Sequence, residues 1–258
     1  MTSYHGRTVL VTGASGGIGE AMARQLARAG ARLLLTARSE ARLNELAEEF
    51  SHLGTEAHVL AHDLGEPGAA GTLYDRITEA EHEVDVLINN AGFGKLGGFE
   101  DSDAEVYEQM ITLNVTNLVG LTRRFLPAMT RRGSGGILNV ASTAGFQPVP
   151  NFAVYAATKA FVLSFSQALH AEVEGTGVAV TCLSPGPTST GFFDAANMSG
   201  VPGGREAETP EKVARNGLEA LLKNERSVIS GTRNTVMAFA TRFAPTKLVL
   251  EVGKRMMQ

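Results

Sequence analysis

The chain has 258 residues, a length that suits one large α/β domain better than two small domains. Hydrophobic residues make up 43% of the sequence and charged residues 19%, which excludes a disordered or collagen-like chain and provides enough apolar side chains to cover both faces of a sheet. The net charge is -4 and no basic run stands out, so the composition argues against a nucleic-acid partner.

Cysteine and histidine usage narrows the kinds of site. Cys182 is the only cysteine, which excludes an internal disulfide or a thiolate zinc cluster and predicts a small buried side chain in a reducing compartment. Metal-binding spacing is missing among His5, His52, His58, His62 and His82, so we predict no metal site. The residues after Met1 form no basic leader or long apolar stretch, and we expect a cytoplasmic protein without a clear membrane segment.

Short apolar runs alternate with longer amphipathic runs, which is typical of repeated β-α units around a parallel sheet. The predicted strands are 8–11, 32–36, 56–61, 84–89, 136–141, 178–183 and 228–230. The predicted helices are 17–29, 39–53, 68–80, 104–129, 154–174 and 210–223. Because the alternation shows no break in composition, it predicts one domain over residues 1–258, a doubly wound α/β fold with helices on both faces of a parallel sheet.

Two segments depart from this alternation. The stretch after the sixth strand is rich in Gly and Pro and contains Phe192, Phe193 and Met198, and we predict a substrate lid at 187–209 because long loops in compact domains are usually functional. The last segment mixes basic and apolar residues, namely Arg242, Lys247, Leu248, Val249, Leu250, Val252, Lys254, Arg255, Met256 and Met257. It could lie on a membrane or a partner. We favour packing at the sheet edge or at a subunit interface, because the segment is short.

A glycine-rich turn, Thr12-Gly13-Ala14-Ser15-Gly16-Gly17-Ile18-Gly19, follows the first strand and leads into a helix. Such a turn lets backbone N–H groups and the positive end of the helix approach a pyrophosphate without obstruction by side chains. We assign five residues of this turn to a dinucleotide site: Gly13, Ser15, Gly17, Ile18 and Gly19.

The same turn also matches the G-x-S-x-G pattern of hydrolases, with Ser15 as the nucleophile. That mechanism needs an acid and then a histidine after the serine, with the histidine usually on a late loop. The last histidine is His170, which lies inside a helical pattern. The hydrolase alternative is therefore disfavoured.

The end of the second strand predicts which dinucleotide binds. An NAD site needs an acidic residue for the ribose 2′-OH, whereas a 2′-phosphate needs a cation. Ala37 and Arg38 supply no acid and one fixed positive charge, and Arg42 could add a second, so the sequence favours NADP(H). After the third strand, Asp63 with its neighbour Leu64 could contact the adenine; the alternative is an aspartate that only forms a turn.

The tetrapeptide Asn89-Asn90-Ala91-Gly92 follows the fourth strand, at the carboxyl edge where open α/β sheets bind ligands. Small residues there allow close approach of an adenosine, and we assign Asn90, Ala91 and Gly92 to the cofactor. Asn and Gly also favour turns, and the tetrapeptide alone leaves that alternative open.

Three residues around the fifth strand and the helix after it are candidates for catalysis. Ser142 follows the strand, and the four-residue spacing of Tyr155 and Lys159 puts a hydroxyl and an ammonium on one helix face. A free tyrosine has a pKa of about 10, and a neighbouring cation favours the phenolate. We therefore predict that Lys159 lowers the pKa of Tyr155, which then exchanges protons with a substrate.

Together, these motifs resemble the short-chain dehydrogenase/reductase family, and the similarity covers nearly the whole chain. The motifs appear in the family's order: the glycine turn, Asn-Asn-Ala-Gly, Asn114, Ser142, Tyr155 with Lys159, and Pro185-Gly186. The resemblance implies a Rossmann-like sheet of about seven strands, and a homodimer or homotetramer that assembles through the helices at 104–129 and 154–174. Thr-Ala-Arg-Ser at the end of the second strand is similar to the NADP-preferring branch, which includes ketone, 3-oxoacyl and hydroxysteroid reductases.

The resemblance also implies a role for each candidate. Tyr155 would exchange the proton with the substrate oxygen, and Ser142 would hydrogen-bond the same oxygen. Lys159 would hold the nicotinamide ribose, and Asn114 would distort its helix and position a water. The carboxamide would be contacted by Pro185, Gly186, Thr188 and Thr190, although many family members have a branched apolar residue in place of Thr188.

We expect an NADPH-dependent reductase of a ketone or aldehyde, or an alcohol dehydrogenase in the reverse direction. The alternatives are a catalytically silent NADP(H)-binding regulatory protein and an NAD-dependent dehydrogenase of the same fold. The predicted substrate pocket is formed by Phe93, Gly94, Thr143, Phe146, Pro148, Phe152 and the lid from Phe192 to Met198. These side chains favour an apolar carbonyl or alcohol substrate, which could be bulky.

Overall fold

The computed structural model describes residues 1–192, 196, 207–241 and 243–256. Its centre is a parallel sheet of seven strands in the order β3-β2-β1-β4-β5-β6-β7. The strands are β1 (Thr8–Thr12), β2 (Arg32–Thr36), β3 (Ala57–Val59), β4 (Val86–Asn89), β5 (Gly135–Val140), β6 (Val178–Ser184) and β7 (Ser227–Ile229). The predicted doubly wound α/β fold is confirmed, with a third strand shorter than the predicted 56–61.

Helices join consecutive strands, and two further helices follow β7. They are α1 (Gly17–Arg28), α2 (Glu40–Ser51), α3 (Ala69–Glu79), α4 (Ala104–Ile111), α5 (Asn117–Arg132), α6 (Ala153–Glu172), α7 (Pro210–Leu222), α8 (Thr232–Ala240) and α9 (Thr246–Met256). The single helix predicted at 104–129 is thus two helices, and α8 and α9 were not predicted from the sequence.

The sheet is buried on both faces because alternate residues of each strand point in opposite directions. In β1, Val9 and Val11 pack in a cluster with apolar residues of α1, α2 and α7. Leu10, between them, packs in a second cluster with residues of α3, α5 and α6. All three side chains are fully buried. Two apolar layers therefore explain why the strands read as continuous apolar runs in the sequence.

The strand order reverses at β1, which has β2 on one side and β4 on the other. In open α/β sheets, such a switch point leaves a crevice outside the carboxyl ends of the strands. The glycine-rich turn follows β1 and the Asn-Asn-Ala-Gly segment ends β4, so both meet at this crevice. The segments after β5 and β6 end at the same edge, which brings Ser142 and residues 185–190 to it.

A π-helical turn at Thr112–Thr116 interrupts the long helix between β4 and β5. Its hydrogen bonds span one residue more than those of an α-helix, and such turns are frequent at functional sites. Asn114 occupies the middle of this turn and is 1% exposed. The distortion that the family resemblance implied at Asn114 is therefore present.

The predicted lid at 187–209 is described only in part, because residues 193–195 and 197–206, with Phe193 and Met198, lie outside the described residues. Its two described ends are hydrogen-bonded to each other. Ser189 N–H donates to the Glu208 carbonyl at 2.9 Å, and Glu208 N–H donates to the Pro187 carbonyl at 3.0 Å.

The last two helices bear on one expectation. Packing of this segment at the sheet edge or at a subunit interface was predicted; within the single chain, Leu248, Leu250 and Val252 are exposed, whereas Val249 and Gly253 turn inward. The exposed side chains do not pack at the sheet edge, and the subunit interface stays a prediction. Arg242 and Met257, which were part of the same expectation, lie outside the described residues. Among the described residues, no helix combines the length and apolarity needed to cross a bilayer.

Candidate active site

The glycine-rich turn approaches its neighbours too closely for side chains. Gly13 and Gly17 have positive φ angles of 66° and 55°, which favour glycine. A Cβ on Gly19 would collide with the Gly13 carbonyl oxygen and the Asn90 amide, both inside van der Waals distance. Gly16, the residue before α1, offers no side-chain cap to the first turn, in which Gly17 and Ile18 begin the helix. The exposed N–H groups of this turn fit a pyrophosphate.

Asn90 holds this turn in place. Its Nδ2 donates to the Thr12 carbonyl at 2.9 Å and to the Gly13 carbonyl at 3.3 Å. The backbone N–H groups of Asn90 and Ala91 both donate to Thr12 Oγ1, at 2.9 and 3.0 Å. The assigned segment thus braces the loop after β1 against the loop after β4, a positioning role that short sequence motifs do not reveal. Thr12 was missed as a site residue because its partners lie almost eighty residues away in sequence.

The segment after β6 reaches the opposite side of the crevice. A Cβ on Gly17 would lie 3.2 Å from Thr190 Cγ2, so this threonine faces the glycine-rich turn. Pro185 and Thr188 are buried, and Thr188 Oγ1 donates to the Gly186 carbonyl at 2.9 Å. The Asn234 side chain of α8 packs directly against the backbone of Gly186. Asn234 could not be predicted as a site residue, since its contact with Gly186 depends on the tertiary fold.

The end of β2 presents one free cation. Arg38 is exposed and lies just before α2, and no hydrogen bond or ion pair of its side chain occurs among the described residues. Arg42 was expected to add a second cation, but its guanidinium is paired with Glu20 at 2.8 Å and Glu45 at 2.7 Å. Arg42 is therefore already neutralised, which leaves Arg38 as the candidate for a 2′-phosphate.

Asp63 forms a turn, which is the alternative that the sequence left open. Its Oδ1 accepts from the Gly65 N–H at 2.8 Å. The carboxylate is exposed, and the next residue, Leu64, is buried. The turn leaves the second carboxylate oxygen, Oδ2, available to an adenine amino group.

Ser142, Tyr155 and Lys159 converge at the carboxyl edge of β5. Ser142 Oγ accepts from the Ala144 N–H at 3.1 Å and also hydrogen-bonds the Tyr155 side chain. Lys159 Nζ lies 5.7 Å from the centroid of the Tyr155 ring and donates to the Val140 carbonyl at 2.8 Å. The half-buried Ser142 hydroxyl, the buried phenol and the buried ammonium therefore belong to one group, as the spacing predicts.

Burial sets the protonation states of this group. It raises the pKa of the Tyr155 phenol to about 12, although the hydrogen bond with Ser142 acts in the opposite direction. Burial also lowers the pKa of the Lys159 ammonium to about 8. The prediction of a lowered Tyr155 pKa is wrong for this arrangement, because loss of hydration is the largest cause of the shift and raises the pKa.

Asn114 connects the π-helical turn to this group. Its Oδ1 accepts from the Phe93 N–H at 3.1 Å, and its Nδ2 donates to the Phe93 carbonyl at 3.0 Å and to Thr158 Oγ1 at 3.0 Å. A Cβ on Gly92 would lie 2.9 Å from Asn114 Oδ1 and 3.3 Å from Lys159 Nζ. Gly92, Asn114 and Lys159 thus meet at one point beside the crevice.

Aromatic side chains surround the phenol. The ring centroids of Phe152 and Tyr155 are 4.3 Å apart, and those of Tyr155 and Phe192 are 5.4 Å apart. Phe152 and Phe192 both pack against Gly94, where a Cβ would lie 2.6 Å from one ring and 3.0 Å from the other. Tyr155 is consequently only 7% exposed.

The hydrolase arrangement does not form. His170 Nδ1 lies 2.7 Å from the Val180 carbonyl, on β6 and away from the turn that holds Ser15. Among the described residues, no group of three His, Cys, Asp or Glu side chains could hold a metal ion.

The fold and the pairing of Tyr155 with Lys159 beside a glycine-rich turn fit a nucleotide-binding oxidoreductase. The family model for short chain dehydrogenases matches residues 7–199. This chain belongs to the short-chain dehydrogenase/reductase family.

Similar proteins include enzymes and nucleotide complexes. Sulfoacetaldehyde reductase 2 of Chromohalobacter salexigens is 41% identical over 186 residues, which are 71% of this chain and 73% of that protein. A short-chain dehydrogenase from Sphingobium yanoikuyae in complex with NADPH has a TM-score of 0.84 and 34% identity, covering 94% of this chain and 95% of the other. A family member from Burkholderia phymatum in complex with NAD has a TM-score of 0.82 and 25% identity, covering 93% and 94%.

Proposed function

We propose that the protein is an NADPH-dependent carbonyl reductase, which reduces a ketone or aldehyde and oxidises a secondary alcohol in the reverse direction. The observation that carries this proposal is the convergence of Ser142, Tyr155 and Lys159 beside the glycine-rich turn. The glycines of that turn, where added Cβ atoms would collide with neighbouring backbone, fit a dinucleotide pyrophosphate.

The protein's own side chains deliver a proton to the carbonyl oxygen. When bound, the nicotinamide supplies the hydride in reduction and accepts it in oxidation. Because burial keeps Tyr155 protonated at neutral pH, its O–H can donate to the carbonyl oxygen and then transfer the proton as negative charge develops there. The Ser142 hydroxyl donates a hydrogen bond to the same oxygen and stabilises that charge.

Lys159 stabilises the phenolate that remains after this transfer. At neutral pH its ammonium is mostly protonated, since burial lowers its pKa only to about 8. A positive charge close to the ring lowers the energy of the phenolate, and the effect is strong in a site with little water. The Val140 carbonyl and Asn114 position the groups around this charge.

The preference for NADP(H) rests on Arg38. The guanidinium is exposed at the end of β2, where a ribose 2′-phosphate would need a cation. The NADPH complex of the Sphingobium relative supports this preference, while the NAD complex of the Burkholderia relative makes an NAD-dependent dehydrogenase the alternative. Neither Ala37 nor Arg38 offers a carboxylate to the ribose hydroxyls, which favours NADP(H).

The aromatic residues around Tyr155 favour an apolar carbonyl or alcohol. Phe93, Phe152 and Phe192 belong to one apolar cluster with the phenol. We retain the prediction that residues 187–209 form a substrate lid, and the hydrogen bonds that join its two described ends support this prediction. The single buried cysteine supports a reducing, cytoplasmic location.

We also propose assembly into a homodimer or homotetramer through the helices that flank the site. Ile111 on α4 is 45% exposed and Phe161 on α6 is 43% exposed, and large apolar side chains on helix surfaces favour an interface. A Phe161→Glu variant should assemble into a smaller species than the parent by light scattering after gel filtration. An unchanged mass would contradict this assembly.

The experiment that tests the catalytic proposal is NADPH oxidation against a panel of ketones and aldehydes, with the parent and a Tyr155→Phe variant. We expect the variant to bind NADPH as the parent does and to lose about 10²- to 10⁴-fold in turnover, because its general acid is missing. Tyr74→Phe, on α3, is the matched control and should keep full activity. NADPH binding without turnover of any substrate would instead favour the regulatory alternative, and full activity of Tyr155→Phe would overturn the mechanism.

A further inference from the structure

The outer faces of α8 and α9 carry exposed apolar side chains, which we call the α8–α9 surface. Its members are Val236, Met237, Phe239, Phe243, Leu248, Leu250 and Val252. Phe243 is 87% exposed and Val236 is 63% exposed, and the other five side chains are between 39% and 52% exposed. Large exposed apolar side chains in such number on a folded protein indicate a place of interaction.

On α8, the exposed apolar side chains Val236 and Phe239 lie on one face of the helix. Ala238 is buried, and Asn234, four residues earlier, packs against Gly186. Val236 and Phe239 lie on the opposite side of the helix. The inner face of α8 is therefore already used, and the apolar side chains Val236 and Phe239 of its outer face are exposed to solvent.

The second helix divides in a similar way. Gly253 is buried, and a Cβ there would lie 3.2 Å from Pro150 Cδ. Leu248 and Val252, at i and i+4, flank that contact and are 52% and 47% exposed. The remaining side of α9 is polar and carries exposed charged residues at i, i+4 and i+7: Lys247, Glu251 and Lys254. A helix with an apolar face bordered by lysines is typical of a membrane interface.

Charge is segregated along the sequence. Of the 23 basic and 27 acidic residues in the chain, five basic residues and one acidic residue lie at 232–258, so this stretch has a net charge of about +4. The chain as a whole has a net charge of -4, and the remainder is therefore strongly acidic. The basic residues are Arg233, Arg242, Lys247, Lys254 and Arg255, and the acidic one is Glu251.

We propose that the α8–α9 surface binds peripherally to an anionic lipid bilayer, with its apolar side chains at the headgroup boundary and its lysines against lipid phosphates. In a symmetric contact with a second copy, the same surface of each copy would face the other. The two positively charged stretches at 232–258 would then repel each other. An anionic leaflet attracts such a patch instead, with about 1 kcal/mol for each basic residue near the surface. Charge complementarity therefore favours lipid over self-association.

The location of the surface is consistent with this role. Thr241 Oγ1, directly after α8, donates to the Phe146 carbonyl at 3.4 Å, and α9 packs on Pro150. Phe146 and Pro150 belong to the connection between β5 and α6, which also carries Ser142. The α8–α9 surface is thus connected to the segment that carries Ser142.

Vesicle co-sedimentation of the full chain tests the proposal. We expect the protein to sediment with vesicles of equimolar phosphatidylglycerol and phosphatidylcholine, and far less with vesicles of phosphatidylcholine alone. High salt should weaken the binding, because it screens the lysine–phosphate attraction. Lys247→Gln with Lys254→Gln should lower the partition coefficient by about 25-fold, since 1 kcal/mol corresponds to about fivefold for each charge.

Two further variants make the test specific. Phe239→Ser with Phe243→Ser should lower the partition coefficient by about tenfold or more for each phenylalanine. Leu53→Ser with Lys223→Gln makes the same kind of change at exposed positions elsewhere and should bind like the parent. Circular dichroism and NADPH binding, which should be unchanged in all variants, report that each one is folded.

Three outcomes would overturn the proposal. One is equal sedimentation with both kinds of vesicle, or with neither. Another is equal loss in the α8–α9 variants and in the control. The third is a lipid-free parent that forms a larger assembly than the Phe239→Ser, Phe243→Ser variant, because the surface would then belong to a contact between copies.

Discussion

Asn89 and Asn139 are opposed residues on the adjacent strands β4 and β5, and the amide of Asn89 donates to Asn139 Oδ1 at 2.9 Å. Asn89 Nδ2 also donates to Thr122 Oγ1 on α5, and Asn139 Nδ2 donates to Ser166 Oγ on α6. All four side chains are buried. The first asparagine of the Asn-Asn-Ala-Gly segment thus links the sheet to two helices, whereas the second, Asn90, braces the glycine-rich turn.

Removing the central amide of this network should destabilise the fold. Asn139→Ala leaves a buried donor of Asn89 with one partner fewer and takes a hydrogen bond from Ser166, so we expect the free energy of unfolding to fall by about 2–3 kcal/mol. Urea unfolding followed by circular dichroism measures this change. Asn44→Ala, at an exposed position of α2, should stay within about 0.5 kcal/mol of the parent. Equal stabilities of the two variants would show that the network contributes little.

The glycine-rich turn offers a matched pair of substitutions. Gly19→Ala places a methyl group against the Gly13 carbonyl and the Asn90 amide, so we expect a loss of roughly 1–3 kcal/mol in unfolding free energy. Gly16→Ala meets nothing within 4 Å and has an extended backbone, so stability should hardly change. Thermal unfolding without nucleotide compares the two. Similar melting temperatures would argue against the close approach at Gly19.

Cofactor preference should depend on Arg38. Arg38→Asp removes the cation proposed for the 2′-phosphate and adds a repulsive charge, so we expect NADPH to bind about 10- to 100-fold more weakly. NADH binding should hardly change, because NADH has no such phosphate. Fluorescence titration measures both. Arg131→Asp reverses a charge on the exposed end of α5 and should alter neither affinity. A parent that binds NADPH and NADH equally would support the NAD alternative.

Stability should rise with pH because of Lys159. Burial lowers its pKa from 10.5 to about 8, so between these values the unfolded chain holds a proton that the folded chain has released. Unfolding free energy therefore increases from pH 8 to pH 10.5, by up to roughly 3 kcal/mol from this group. Below pH 8 both states are protonated and the contribution of Lys159 is flat.

A Lys159→Met variant isolates this effect. The raised pKa values of Tyr155 and Cys182 act in the opposite direction at higher pH, but both groups remain in the variant. We expect the difference in urea unfolding free energy between variant and parent to shrink as pH rises from 8 to 10.5. Lys223→Met, at an exposed position, should give a constant difference. A constant difference for Lys159→Met would reject the shift.

Most of the fold could be predicted because parallel strands buried on both faces leave continuous apolar runs in the sequence. β1 and β6 were found within one residue of their ends, since their neighbours are turn-forming residues. β3 was predicted too long because Leu60 and Ala61 continue the apolar pattern beyond the end of the strand. The π-helical turn at Thr112–Thr116 has no local signal, and only the family resemblance pointed to Asn114.

Those parts of the site that depend on the spacing of residues along the sequence could be predicted. Tyr155 and Lys159 share a helix face by their four-residue separation, and the glycine-rich turn follows a strand. The ion pair of Arg42 with Glu20 and the raised pKa of Tyr155 could not be predicted, since the first joins residues 22 positions apart and the second depends on burial in the folded chain. Desolvation in particular is set by the aromatic rings of Phe152 and Phe192, which enclose the phenol only in the folded chain.

The π-helical turn changes the phase of the helix that it interrupts. Met110 and Leu121 are eleven residues apart, and an unbroken α-helix would point both in nearly the same direction. The additional residue rotates one against the other by about 100°. Met110 consequently packs with Tyr155 under the reaction centre, while Leu121 packs into the layer beneath the sheet. One inserted residue thus allows the two halves of one long helix to pack in different apolar clusters. A shift of this helix would change the packing of both clusters.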